Sequence, residues 1–372
     1  MPRTFRVAAI GSTQHGGYGH GLDTAYVGLE NTEYVAVADD DPAGLEAAIK
    51  RLGAARGYAS YQQMLDSEKL DVVSIGPRHV TDRVAMVSAA AARGIHLFCE
   101  KPLAGSLADA DAMLLACQQA GVKMAVAHQF RAMPPLRKIH ADIRGGKFGR
   151  LLRMRARPKD DHRGGGEELA VHGTHLFDLM VWFAGPPRWV SGDILAGGRP
   201  ATLHDTRQGT EPVGPIAGDS LSGAYGFDDG VRGYFDSTAN LYRDGQSPYG
   251  LLLECERALL HIRGRGEVYV YPAAALVPEN PELTWERTWI EDWHFHPDHT
   301  PRPLNDYLHR GNQSIVRSLY RAIQENLLPL TPAADARWAL EMIQGVYASH
   351  LQQGFRLPLP LADRQHPLSR EE

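Results

Sequence analysis

The stretch Ile95-His96-Leu97-Phe98-Cys99-Glu100-Lys101-Pro102-Leu103 decides how the chain is read. Its apolar run predicts a buried parallel strand. Pro102 ends that strand, because proline has no N–H for a ladder and holds the preceding residue extended. Lys101 is then displayed at the strand's carboxyl edge, where ligands sit in open parallel sheets. A lysine that is desolvated there, or set near another cation, has its pKa lowered towards the range where it moves protons. The same pair also fits a surface Glu–Lys before a turn. The flanking segments have to carry the case.

Upstream, residues 5–10 predict a short strand ended by Gly11, followed by a polar loop with glycines at 16, 17, 19 and 21. A helix is expected over 22–29, then a strand over 34–38 that runs into Asp39-Asp40-Asp41-Pro42. Strand, glycine loop, helix, strand, acid is the order of a dinucleotide fold. Glycines admit a pyrophosphate, a helix N-terminus holds its charge, and the acid bonds the ribose hydroxyls. The usual G-x-G-x-x-G is absent, and glycine loops of this kind also serve other phosphate sites or merely turn the chain. Asp39 suits a free 2′-hydroxyl and repels a 2′-phosphate, which favours NAD over NADP. Further helices are expected over 42–52, up to 92 and over 109–120, with strands at 71–75 and 122–127. Repeated strand–helix units predict a doubly wound parallel sheet.

The chain has 372 residues, room for two or three domains. With 43% hydrophobic and 22% charged residues it reads as globular, and a net charge of -5 without a basic run argues against a nucleic-acid partner. Cys99, Cys117 and Cys255 lie in or beside apolar segments, which predicts free buried thiols in a reducing cytoplasm. No signal-peptide pattern and no bilayer-length apolar run is read, so a cytoplasmic protein without a membrane partner is expected.

In the second half, residues 151–157 alternate apolar and basic positions, as a sheet with one wet face does. Strands are expected over 221–227, 231–238, 249–256, 258–262 and 267–271, joined as antiparallel hairpins. The glycine- and proline-rich segment 186–218 is expected to cover a sheet edge or a partner subunit. Helices are expected over 312–326 and 333–352.

In order, these pieces resemble the Gfo/Idh/MocA family of NAD(P)-dependent oxidoreductases. The match is carried by the opening strand and loop, by 71–77, and by Glu100-Lys101-Pro102. It continues through His128-Gln129-Phe130-Arg131 and Gly164-Gly165-Gly166 to Gly173-Thr174-His175-Leu176-Phe177-Asp178, and then the C-terminal helix with Gly354 and Pro358. The resemblance implies a Rossmann domain (1–124) and a C-terminal α/β domain (125–372) with a large open, mostly antiparallel sheet. That sheet would bury its outer face in a homodimer or homotetramer. It also implies catalytic roles for Lys101 and His175, with a cis bond before Pro102. Cofactor contacts are expected at Gly11, Thr13, Gly19, His20, Asp39, Pro77, Glu100 and Lys101. Substrate contacts are expected at His128, Arg131, Asp161, His162 and His172. The chain departs from the family at Val171, where an aspartate is usual, and at Gly76-Pro77, where a threonine precedes the proline.

The reading is an NAD-dependent enzyme acting on a secondary hydroxyl of a sugar, cyclitol or related polyol. Val171 keeps two alternatives open: glycoside cleavage with no net redox, and a non-catalytic, dinucleotide-dependent sugar sensor. Glu168, His172 and His175 could share one face and bind metal if helix began by Glu168. Gly173 argues instead for a helix starting near Thr174, and no metal is expected. His294, His296 and His299, with Trp289, Trp293 and Asp298, could also ligate a metal but are read as a loop packing aromatics or lining a pocket rim.

Overall fold

The computed structural model describes residues 3–243, 246–303 and 306–369; Met1 and Pro2, at the head of the predicted lead-in, lie outside them. The chain forms two compact units, residues 1–132 with 308–337, and residues 133–307 with 338–372.

The first unit is built on six strands, β1 (Phe5–Ile10), β2 (Thr32–Ala38), β3 (Arg56–Tyr58), β4 (Val72–Ile75), β5 (His96–Cys99) and β6 (Met124–Val126). Their order is β3-β2-β1-β4-β5-β6, and every pair is parallel. This is the doubly wound order, whose switch point lies between β1 and β4. The central strands β1, β4 and β5 are buried along nearly their whole length because both faces are covered. Helix α1 (Pro42–Leu52) starts where the Asp41 carboxylate accepts the Gly44 N–H at 2.7 Å and stops at Gly53, φ 64°. Helix α2 covers Tyr61–Ser67, α3 Arg83–Ala91 and α4 Leu107–Ala120.

The helix expected over 22–29 does not form; that segment holds turns and one 3₁₀ turn, Thr24–Tyr26. Gly16, Gly17, Gly19, Gly21 and Gly28 all take positive φ, which breaks helical continuation at both ends. Leu22, Ala25 and Tyr26 are buried nonetheless. The C-terminal helix Tyr307–Glu325 sends Ile315, Val316 and Leu319 into that same cluster, and Tyr320 stacks on Phe5 at 3.9 Å. Past it, the Thr331 carbonyl accepts the Val126 N–H at 2.9 Å, which extends the β6 edge.

The second unit carries a ten-stranded mixed sheet. Its order is Glu286–Arg287, Val268–Tyr271, Leu259–Arg263, Gly250–Cys255, Leu151–Arg157, Arg232–Thr238, Ser220–Gly226, Trp189–Ala196 and Leu357–Pro358, with Arg199–Pro200 beside Trp189–Ala196. All pairings are antiparallel except Leu151–Arg157 with Arg232–Thr238. The segment 186–218 is therefore not only a cover, since it supplies Trp189–Ala196. There Val190, Gly192 and Ile194 alternate inward, and the glycine admits Val346 of the helix Ala333–His350. Helix Gly173–Ala184 packs Phe177 against Tyr225 and Phe235. The sheet also carries charge on a wetter face, where Arg155 bonds Glu254 at 2.7 Å and lies over Tyr234.

Candidate functional site

In the first unit the loop after β1 meets the end of β2 through Asp39. This side chain is 1% exposed. It accepts the Thr13 N–H at 3.0 Å, the Thr13 hydroxyl at 2.7 Å and the Asp41 N–H at 3.1 Å. Burial alone would raise its pKa; these bonds outweigh burial and hold the carboxyl below its usual value. The neighbouring Asp40 is exposed and accepts the Ser12 hydroxyl at 2.9 Å. Asp39 and Asp40 both line a cavity of about 390 Å³ with Gly11, Ser12, Pro77 and His79. That size is within the range of small-ligand sites. A Cβ on Gly11 would run into the Tyr18 ring. Glycine, a serine hydroxyl and carboxylates at the end of β2 suit the ribose end of a dinucleotide, so the residues present fit that cofactor. Sequence reasoning missed Asp40 and Ser12, whose only signal was their place beside the expected acid and glycine.

At the end of β5, Glu100 is fully buried. It accepts the His20 N–H at 3.0 Å and its own neighbour Lys101's N–H at 3.0 Å, with His20 Nδ1 at 2.8 Å. Burial pushes its pKa up, but His20 and Lys101 pull harder, leaving it at about 2. Gly19 has φ 64°, and a Cβ there would meet the Gly76 carbonyl oxygen at 2.7 Å and the Glu100 carboxylate. Lys101 is buried, and the Lys101–Pro102 bond is cis. Arg83, which the sequence did not single out, holds this turn. Its buried guanidinium donates to the carbonyls of Pro102, of Leu103 at 3.3 Å and of Pro77 at 2.8 Å. His128 is buried just past β6, and Arg131 is buried with its guanidinium 2.5 Å from Asp335.

In the second unit, Gly164, Gly165 and Gly166 let the chain pass tightly against backbone. A Cβ on Gly165 would lie 2.7 Å from the Gly218 carbonyl oxygen, and its φ is 82°. Helix begins at once, over Gly166–Val171, and resumes over Gly173–Ala184, joined at His172 (φ -102°, ψ -29°). The helix expected to start near Thr174 does start at Gly173, and a short helix that was not expected precedes it. The glycine turn decides where the short helix begins, because φ 82° is open to glycine and closed to most side chains. Glu168 and His172 meet, with Nδ1 2.7 Å from Oε2. Burial pushes Glu168 up to about 7, against the pull of Arg163. Arg163 donates to Asp161 at 2.8 Å and Glu211 at 2.8 Å. His162 is exposed (69% of its side chain), with Nδ1 3.8 Å from Asp161 Oδ1. His175 lies in the first turn of the second helix, its N–H donating to the His172 carbonyl at 3.1 Å. His294 bonds the Ile290 backbone and packs on Trp289, while His299 meets Glu291 at 2.7 Å. Among the described residues, no three His, Cys, Asp or Glu side chains gather to hold a metal ion. No helix among them is long and apolar enough to cross a membrane.

A doubly wound sheet with a polar cavity at its β1–β2 edge, followed by a unit with a large mixed sheet, defines a dinucleotide-binding α/β protein. Residues 5–128 match the Gfo/Idh/MocA model, the oxidoreductase family with an NAD-binding Rossmann fold. It is similar to D-apiose dehydrogenase of Paraburkholderia graminis, 35% identical over 173 residues, 46% of this chain and 46% of that one. The match thus spans about half the length of that curated relative. D-xylose 1-dehydrogenase (NADP(+)) 2 of Haloferax volcanii is 27% identical over 62% of this chain and 73% of its own. The solved structure of levoglucosan dehydrogenase with NADH and levoglucosan shares the fold at TM-score 0.74 and 18% identity, covering 96% of this chain and all of that one.

Proposed function

We propose that this protein is an NAD-dependent oxidoreductase acting on a secondary hydroxyl of a sugar, cyclitol or related polyol. The observation that carries this reading is Lys101, presented at the carboxyl end of β5 directly after the buried Glu100 and on the sheet whose edge forms the dinucleotide cavity. The dehydrogenases named above act on sugars, as their names state, and support the substrate class.

Bound NAD supplies a hydride acceptor. The protein's own residues then have to position the hydroxyl and take its proton when C–OH becomes C=O, or return it in the reverse direction. We assign that proton work to Lys101 and His175. Substrate orientation falls to polar groups of the second unit, Asp161 and His172 among them. Gly11, Thr13, Gly19, His20, Asp39, Pro77 and Glu100 shape or line the dinucleotide site. We take the chain to work in the cytoplasm as a homodimer or homotetramer with a small-molecule partner, assembling through the charged sheet face that carries Arg155 and Glu254. Sedimentation at graded protein concentration reads that state.

The test is purified protein with NAD or NADH against a panel of sugars, cyclitols and their oxidised forms. A nicotinamide absorbance change with one class, lost in Lys101→Ala, is the expected result. Lys101→Ala with unchanged turnover sinks the assigned role. Bond cleavage without cofactor consumption sinks the redox reading.

A further inference from the structure

Glu168 is a buried carboxylate with an incomplete set of partners. It is fully buried within helix Gly166–Val171. Its Oε2 accepts the Lys159 N–H at 3.3 Å and stands 2.7 Å from His172 Nδ1. Its Oε1 is buried with no hydrogen-bond partner among the described residues. The nearest guanidinium nitrogen, from Arg163, is 3.6 Å away, and that arginine is already bonded to Asp161 and Glu211. Among the described residues, the charged or titratable groups seen to face Glu168 are Lys159, Asp160, Asp161, Arg163, His172 and Tyr249. Of these the arginine is shared and Asp160 and Asp161 add negative charge.

A buried carboxylate short of donors is costly as an anion. It lowers that cost by holding a proton or by drawing positive charge onto a neighbour. His172 is the one facing group whose ordinary pKa lies near neutrality, so it is the neighbour that can exchange charge with Glu168. Its ring packs edge-on against Tyr249 at 5.1 Å, which limits how it can turn. The imidazole side chain is 12% exposed while the carboxylate is sealed. A proton reaching Glu168 from outside therefore has a ready route through the ring.

We propose that Glu168 and His172 form a proton-sharing pair in the second unit. Glu168 is the positioning residue that holds Nδ1, and His172, beyond orienting the substrate, joins Lys101 and His175 in the proton work by exchanging a proton with a bound hydroxyl compound through Nε2. This deepens the oxidoreductase reading and rests on it. As a CH–OH group gives its hydride to NAD, the O–H electron pair closes the C=O bond and the proton passes to Nε2. The Nδ1–H meanwhile stays on the Glu168 carboxylate, which offsets the imidazolium charge. Reduction of a carbonyl runs the same proton back.

The experiment is histidine-labelled NMR on the full chain, with the His172 resonance assigned by H172Q, combined with pH profiles of kcat and KM. In E168Q the His172 titration midpoint is expected to fall by at least one pH unit, because the imidazolium loses its carboxylate. E168Q is expected to lower kcat tenfold or more with KM little changed and to shift the limb of the profile that H172Q removes. The double variant should be no worse than H172Q alone. An unmoved midpoint, unchanged profiles in both variants, or additive losses overturns the pair. If E168Q fails to fold, judged by melting and NAD binding, the H172Q profile decides: a retained limb overturns the proposal. If no compound on the panel turns over while E168Q still shifts the His172 midpoint, the oxidoreductase reading and the substrate step fall, and the proton-sharing geometry stands.

Discussion

Nδ1 of His20 lies 2.8 Å from Oε1 of Glu100, and the His20 N–H reaches Oε2 at 3.0 Å, so the glycine loop and the end of β5 close on one buried carboxylate. Glu100 sits at about 2 in the fold against an ordinary 4.5. A carboxyl depressed on folding contributes stability that is complete above its unfolded pKa and is lost as pH falls through its folded one. Glu100→Gln should therefore cost roughly 3 kcal/mol at neutral pH, as breaking a buried charge pair does. In urea titrations the gap to the native protein should close between pH 4.5 and 2. A gap that stays constant over that range contradicts this account.

Arg83 ties two loops together, with its guanidinium on the carbonyls of Pro77 and Pro102. Arg83→Met leaves those buried acceptors unpaired, a loss of roughly 1–3 kcal/mol each. Because Lys101 precedes one of them, turnover should fall with stability. Arg83→Lys, which keeps the charge but not the fork, should recover little of either. Melting curves and kcat measured on both variants check this.

Gly76 follows β4, and a Cβ there would stand 2.9 Å from the Ile10 carbonyl oxygen and 2.9 Å from the Tyr18 Cα. Both obstacles are backbone, so neither can swing aside. Gly76→Ala should destabilise by about 2 kcal/mol through overpacking and weaken NAD binding by spreading the loop after β1. Calorimetric titration with NAD reads the second effect apart from the first.

Asp39 and Asp40 divide their work. Asp39 is enclosed by Thr13 and Asp41, so Asp39→Ser should lower the melting temperature and disorder the loop. Asp40 is exposed at the cavity, so Asp40→Ser should leave melting nearly unchanged. Removing that charge should raise NADP affinity relative to NAD by roughly tenfold, or about 1.4 kcal/mol. Comparing the two Kd ratios separates the residues. An identical shift from both variants would show that the enclosed carboxylate is read by the cofactor as well.

The sequence by itself determined the doubly wound sheet, the end of β5 just before Glu100 and Lys101, and the hairpins of the second unit. Those depend on properties of single segments, namely apolar periodicity, proline's missing N–H and capping residues, and they are legible residue by residue. Only the tertiary structure decided that 22–29 is a coil, because five glycines at positive φ outweigh a helical apolar spacing. It alone brought Glu100 to His20, 80 positions away, and laid Arg83 across two loops. It alone started a helix at Gly166, where Gly165 takes the φ of 82° that let Glu168 meet His172. Hydrogen bonds and burial between distant segments leave no periodic trace in a chain, and the charges they create or silence exist only once the segments are packed.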